Sequence, residues 1–178
     1  MGRIERGYVL VTGAPGAGKS TLALPLAERL GLPLLGKDLI KETLHDHIAA
    51  AGEARAWSRT LGGAAMEVIW TLAPMAPAAV LEANFRPKSA YERDKLAALP
   101  GPLVEVYCIC PPALSAARYA ARHAVRHPTH VVGELTPDFL AEFDRPVGMG
   151  PVVEVDTSGP VDPDEVARAV LATFGRTG

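Results

Sequence analysis

Gly13-Ala14-Pro15-Gly16-Ala17-Gly18-Lys19-Ser20 satisfies every fixed position of the pattern G-x-x-x-x-G-K-[ST]. Its flanks fit as well. The apolar run Gly7-Tyr8-Val9-Leu10-Val11-Thr12 before it reads as a buried parallel strand. Residues 19 to 30 carry Leu22, Leu26 and Leu30 at helical spacing before Gly31 stops the helix. In a strand, loop and helix of this kind, glycines let consecutive N–H groups converge on a phosphate at the positive end of the helix dipole. Lys19 is placed to bridge β- and γ-phosphate oxygens, and Ser20 to offer a hydroxyl to Mg²⁺. The reading is a nucleoside triphosphate site made by Gly13, Ala14, Pro15, Gly16, Ala17, Gly18, Lys19, Ser20 and Thr21.

Outward from this loop, apolar runs and helical periods alternate. Strands are expected at 33–35, 78–83, 103–110 and 152–155, besides the first. Helices are expected from Asp38, over 54–73 (weakened in its middle by Gly62-Gly63), 89–99, 112–123, 136–143 and 162–174. Thr136-Pro137-Asp138 supplies an N-cap with proline in the first turn. The alternation predicts an α/β fold, the P-loop NTPase three-layer sandwich, with a five-stranded parallel sheet and helices on both faces. One domain is expected across 1–178.

With Lys+Arg 18 against Asp+Glu 20, the formal net charge of -2 excludes the basic excess of a nucleic-acid backbone binder. No apolar stretch of about 18 residues suggests a membrane span, and the N-terminus lacks the features of a signal peptide. A cytoplasmic protein, monomer or homodimer, is expected. Cys108 and Cys110 read as reduced thiols, since two cysteines cannot complete a zinc site.

A phosphate loop is shared by many activities. The chain has no Asn-Lys-x-Asp guanine motif, and its Asp156-Thr157-Ser158-Gly159 falls after the last strand, too late for a switch loop. Its length leaves no room for the second domain of an AAA+ machine. A small kinase remains. Lys37-Asp38-Leu39-Ile40-Lys41 ends the second strand on the same carboxyl edge as the loop, where open α/β sheets bind ligands. Asp38 is there a candidate general base, or simply a helix N-cap. Arg118, Arg122 and Arg126, four apart, predict one helical stripe whose repulsion a polyanion would relieve; pairing to Glu134 or Asp138 is the plainer alternative. His123, His127 and His130 invite a metal site, against which the interleaved arginines argue. His45-Asp46-His47 either lines the acceptor pocket or is solvated, and Trp57, Met66 and Trp70 pack a core or pocket wall.

The order of these pieces resembles the small P-loop kinases of the zeta-toxin and chloramphenicol-phosphotransferase type. The resemblance runs through Val11 to Thr21, Gly36 to Glu42, Val80 to Phe85, Cys110-Pro111-Pro112, the arginines, and Val155 to Ser158. It implies ATP with Mg²⁺, Asp38 as the base activating a hydroxyl of a small molecule, and Lys41, Glu82, Asn84, Arg86 and Arg126 as substrate contacts. It further implies that Arg118 and Arg122 belong to a lid over ATP, within about 112–135, and that Thr157, Ser158 and the residues to Pro160 flank adenine. Glu82 stands where members often have Asp, and would reach magnesium through water. Lys37-Asp38…Lys41 also resembles the Asp-x-x-Arg of polynucleotide 5′-hydroxyl kinases, with Lys41 in place of the two-pronged arginine. Nucleic acid is thus the alternative acceptor, and a non-catalytic ATP-binding regulator the alternative role.

Overall fold

The computed structural model describes residues 3–50, 52–122, 125–131 and 135–177. Five strands, β1 (Gly7–Thr12), β2 (Leu34–Gly36), β3 (Ala78–Glu82), β4 (Leu103–Ile109) and β5 (Val152–Asp156), form one parallel sheet in the order β2-β3-β1-β4-β5. Between and after them lie α1 (Lys19–Leu30), α2 (Lys37–His47), α3 (Ala54–Leu72), α4 (Ala90–Ala97), α5 (Pro112–Ala121), the one-turn α6 (Pro137–Leu140) and α7 (Pro163–Thr177). Among the described residues, no helix is long and apolar enough to cross a membrane.

The continuous apolar runs are explained by burial on both faces. In β1, Val9 and Val11 join Leu22 and Leu26 of α1 and Val166 and Val170 of α7 in one core layer. Tyr8 and Leu10 point the other way, into a second layer with Ile69 and Trp70 of α3, Phe85 and Leu96. Trp70 stacks obliquely on Phe85, ring centroids 5.9 Å apart, with Met66 packed against the same layer. Trp57 is half-buried outside both layers. Gly62-Gly63, expected to weaken α3, leaves it continuous. Burial of Leu61, Ala65, Ile69 and Trp70 supplies the tertiary packing that outweighs low helix propensity.

A fully buried charged side chain lies inside this frame. Glu105, in β4 next to β1, has no exposed surface. Its Oε1 accepts from the Thr12 hydroxyl at 2.6 Å and from the Val147 N–H at 2.8 Å, and its Oε2 from the Gly148 N–H at 2.9 Å. Three donors replace the water that a buried carboxylate would otherwise need. They also tie the residue before the phosphate loop to the loop that enters β5.

Because β1 sits between β3 and β4, its two neighbours lead away in opposite directions, and a crevice opens at its carboxyl end. The Gly13–Ser20 loop stands there.

Candidate active site

The loop holds its shape through glycine and close contact. Gly16 has φ 84°, and a Cβ on it would lie 2.2 Å from the Ser115 carbonyl oxygen, so only a hydrogen side chain fits. Gly18, at φ 86°, turns the chain into α1 as its N-cap. The buried Thr157 hydroxyl lies 2.7 Å from the Ala17 carbonyl and 2.9 Å from that of Ile109, fastening the loop to the end of β4.

Lys19 is buried and its ammonium donates to the Ala14 carbonyl at 2.8 Å. Burial lowers its pKa, opposed by the nearby Glu82 carboxylate. Glu82, at the end of β3, is buried in turn, and that burial raises its pKa against the pull of Lys19. The Ser20 hydroxyl donates to Glu82 Oε1 at 3.1 Å. Two oxygen donors thus sit side by side at the start of α1, the ligand chemistry that suits a hard divalent cation.

Across a cavity of roughly 200 Å³, α2 faces this group. Lys19, Ser20, Glu82, Asn84, Lys37, Asp38, Lys41, Arg122 and Arg126 all line it. Asp38 is not the N-cap: Gly36 holds that position, and Asp38 lies within the first turn. Its carboxylate is free of capping duty and 3.9 Å from the Arg126 guanidinium. Lys41 is only 8% exposed, and donates to the Ser58 hydroxyl of α3 at 2.8 Å. Arg86 turns out of the cavity: its Nε pairs with Glu142 at 3.1 Å, while its backbone N–H donates to Glu92.

A second cavity of roughly 210 Å³ flanks the loop, between Gly18, Thr21, Arg118, Arg122, Thr157, Gly159 and Pro160. Arg118 donates to the carbonyls of Thr157 at 2.7 Å and Ser158 at 2.9 Å, so it braces the cavity wall. Ser158 contributes through this carbonyl; its side chain is not part of the lining. A third, larger and mainly apolar space of roughly 620 Å³ runs from Ala14 and Cys110 under α5 to Leu140 and Phe143.

The arginine stripe does not exist as one helical face. α5 ends at Ala121, Arg122 is its C-cap, and Arg126 lies beyond, stacked over the Tyr119 ring at 4.6 Å. The segment beyond α5 instead meets α2. Arg126 approaches Asp38, His130 Nε2 lies 2.7 Å from Glu42, and His127 Nε2 lies 2.9 Å from Asp46. Asp38, Glu42 and Asp46, four apart, form a ladder on one side of α2. The hydrogen bond from His127, largest of its influences, lowers the pKa of Asp46.

His45, Asp46 and His127 place one ligand atom each within 4.8 Å of one another. The tautomer argues against a metal there. The Thr129 N–H donates to His127 Nδ1, which leaves the proton of the neutral ring on Nε2, directed at Asp46. His130 is engaged by Glu42, and His123 and Glu134 lie outside the described residues. Cys108 and Cys110 are free thiols; burial raises the pKa of Cys108 to about 12.

Three participants have no signal in the sequence: Ser58 and Tyr119 carry no motif, and Glu105 reads there as one polar residue in a strand. Lys37 stands in the segment quoted with Asp38 but received no role there.

Residues 9–146 match a family model described as AAA domain. No curated protein matches the chain. Among solved structures, a protein of Chloroflexus aurantiacus J-10-fl, provisionally described as a kinase, is 28% identical. The match covers 95% of this chain and 98% of that one, with a TM-score of 0.80. A gluconokinase from Sinorhizobium meliloti 1021 is 21% identical over 99% of this chain and 95% of its own, TM-score 0.61. Shikimate kinase from Acinetobacter baumannii, in complex with shikimate, is 17% identical over 98% and 96%, TM-score 0.63.

Proposed function

The chain belongs to the AAA domain family, and we propose that it is an ATP-dependent phosphotransferase that moves the γ-phosphate to a hydroxyl of a small molecule, a sugar, nucleoside or antibiotic. One observation carries this reading: Asp38 shares a cavity with Lys19 and Ser20 at the carboxyl edge of the sheet. The kinase folds of its structural neighbours support it. The finer likeness to kinases of the zeta-toxin and chloramphenicol-phosphotransferase type belongs to the same proposal and rests on the order of motifs. So do a single catalytic domain spanning 1–178, a lid within about 112–135, and a cytoplasmic setting.

Backbone N–H groups of the loop at Gly16, Gly18, Lys19 and Ser20 hold the β-phosphate, while Thr21, Thr157, Gly159 and Pro160 enclose adenine with Arg118 bracing their wall. Lys19 exchanges its Ala14 carbonyl for phosphate oxygens. Ser20, and Glu82 through water, would hold Mg²⁺, which when bound supplies neutralising charge to the phosphates. The acceptor hydroxyl meets Asp38, whose carboxylate takes the proton as the oxygen bonds to the γ-phosphorus. The bond from that phosphorus to ADP breaks as Lys19 and Arg122 balance the charge released. Asn84 and Lys41 border the acceptor. Arg126 approaches from the lid side and shields the reacting group from water.

The test is γ-phosphate transfer across sugars, nucleosides, aminoglycosides and oligonucleotides, with wild type and Asp38→Asn. The variant is expected to bind an ATP analogue as wild type does, and to lose about 10²- to 10⁴-fold in turnover. Retained turnover rejects Asp38 as base. Labelling of oligonucleotide 5′ ends alone turns the reading to a polynucleotide kinase, and ATP binding without any transfer to a regulator.

A further inference from the structure

The acceptor half of the cavity is charged in a way that catalysis at a neutral alcohol leaves unexplained. Lys41 lies one turn after Asp38 on α2, is 8% exposed, and its ammonium has one hydrogen-bond partner among the described residues, the neutral Ser58 hydroxyl at 2.8 Å. An ammonium has three N–H donors, and a buried one needs an anion or several acceptors to offset the water it lost. No carboxylate lies within 4.0 Å of it among the described residues. Lys37 lines the same cavity and, among the described residues, has no ion pair either, and Arg126 reaches in from the far side. Three cations therefore share this half of the cavity with Asp38; Glu82 stands across it beside Lys19 and Ser20, and Glu42 is engaged by His130. The other cations of the cavity, Lys19 and Arg122, stand beside the phosphate loop and are matched by a triphosphate. Burial lowers the pKa of Lys41, and Lys37 and Arg126 push the same way, against the attraction of Asp38 and Glu42. A folding argument gives no reason to keep such a group; a ligand does.

We propose that the acceptor carries an oxyanion, a carboxylate or a phosphate ester, which docks on Lys41 between Lys37 and Arg126 while its hydroxyl meets Asp38. This rests on the phosphotransferase reading and narrows it from small alcohols in general to anionic ones. The oxyanion completes the Lys41 hydrogen bonds and draws Arg126 off Asp38, leaving that carboxylate to the hydroxyl proton.

Calorimetry tests this with the nucleotide half saturated by Mg²⁺ and AMPPNP, so that added anions cannot occupy the phosphate loop. Matched probes are glycerate against glycerol, gluconate against glucose, and ribose 5-phosphate against ribose. At least one charged member is expected to bind about tenfold or more tightly than its neutral counterpart, and which pair responds separates carboxylate from phosphate. Lys41→Met is expected to bring that ratio to within about threefold of unity, and Lys41→Arg to restore most of it, with AMPPNP affinity reporting that both variants are folded. Equal binding within all three pairs, no binding by any charged probe, or a ratio indifferent to Lys41→Met overturns the proposal. Phosphoryl transfer from ATP to the same probes separates the two readings. Charged-probe binding without any transfer removes the kinase and leaves the oxyanion site. Transfer to neutral and charged members alike removes the oxyanion site and leaves the kinase.

Discussion

Replacing Glu105 by alanine is expected to be among the most destabilising substitutions in this chain, and replacing it by glutamine to cost about half as much. Alanine strands three donors, the Thr12 hydroxyl and the Val147 and Gly148 N–H groups. The hydroxyl can rotate toward another acceptor, but the two N–H groups are fixed by backbone. Each unsatisfied buried donor costs about 1–3 kcal/mol, and the Gly148 N–H, at an exposed residue, costs less because water can reach it; the two buried donors put Glu105→Ala near ~4 kcal/mol. Glutamine can keep its oxygen where Oε1 stands, retaining Thr12 and Val147. Its NH₂ then faces the Gly148 N–H, one donor against another, for ~2 kcal/mol. In urea, with a slope of about 2–3 kcal/mol/M for a chain of this size, the midpoints should fall by about 1.5 M and about 0.8 M. Circular dichroism and tryptophan fluorescence should give the same midpoints. A glutamine variant no more stable than alanine, or both within 1 kcal/mol of wild type, refutes the assignment of three working hydrogen bonds to this carboxylate.

Gly16→Ala is expected to weaken a fluorescent ATP analogue by more than about tenfold, because its Cβ would lie 2.2 Å from the Ser115 carbonyl in a left-handed conformation that itself costs about 1–2 kcal/mol; unchanged affinity by titration would refute the close contact. Cys108 has a folded pKa raised by burial from 9.0 to about 12. The folded state therefore keeps this proton when the unfolded chain has lost it. Its contribution to stability is whole below pH 9.0 and lost as pH rises toward about 12, at up to ~1.4 kcal/mol per unit. The stability difference between wild type and Cys108→Ala, from urea melts at pH 8 and above, should move in favour of the alanine variant as pH rises. Parallel curves would sink it.

What could be read from the chain alone was whatever the chemistry makes local. β1 and β3 are continuous apolar runs because both their faces are covered, and the phosphate loop needs its glycines within a single turn. Glu82 and Asn84 came from the resemblance to small P-loop kinases rather than from the pattern of the chain, and both line the cavity beside Lys19. Side-chain partners far apart in sequence were not legible. Arg126 was expected on a helical stripe, but α5 stops at Ala121, and the following chain carries it to Asp38 instead. Arg86 fits a strand-end position, yet Glu142, 56 residues later, draws it away. Ser58 acquires meaning only when α3 packs on α2 and brings it to Lys41. Glu105 looked like an ordinary alternation in a strand, since its acceptor role depends on residues 147 and 148 folding back over β4.

The contacts around the phosphate loop have a thermodynamic consequence. The Ser115 carbonyl lies against Gly16, the Thr157 hydroxyl holds the Ala17 carbonyl, and Ala17 N–H closes a turn onto Ala14. Fixing a residue's backbone costs about 1–2 kcal/mol, and here that ordering takes place when the sheet assembles. An arriving nucleotide meets a preorganised cradle and keeps nearly all the interaction energy that a floppy loop would have consumed in becoming ordered.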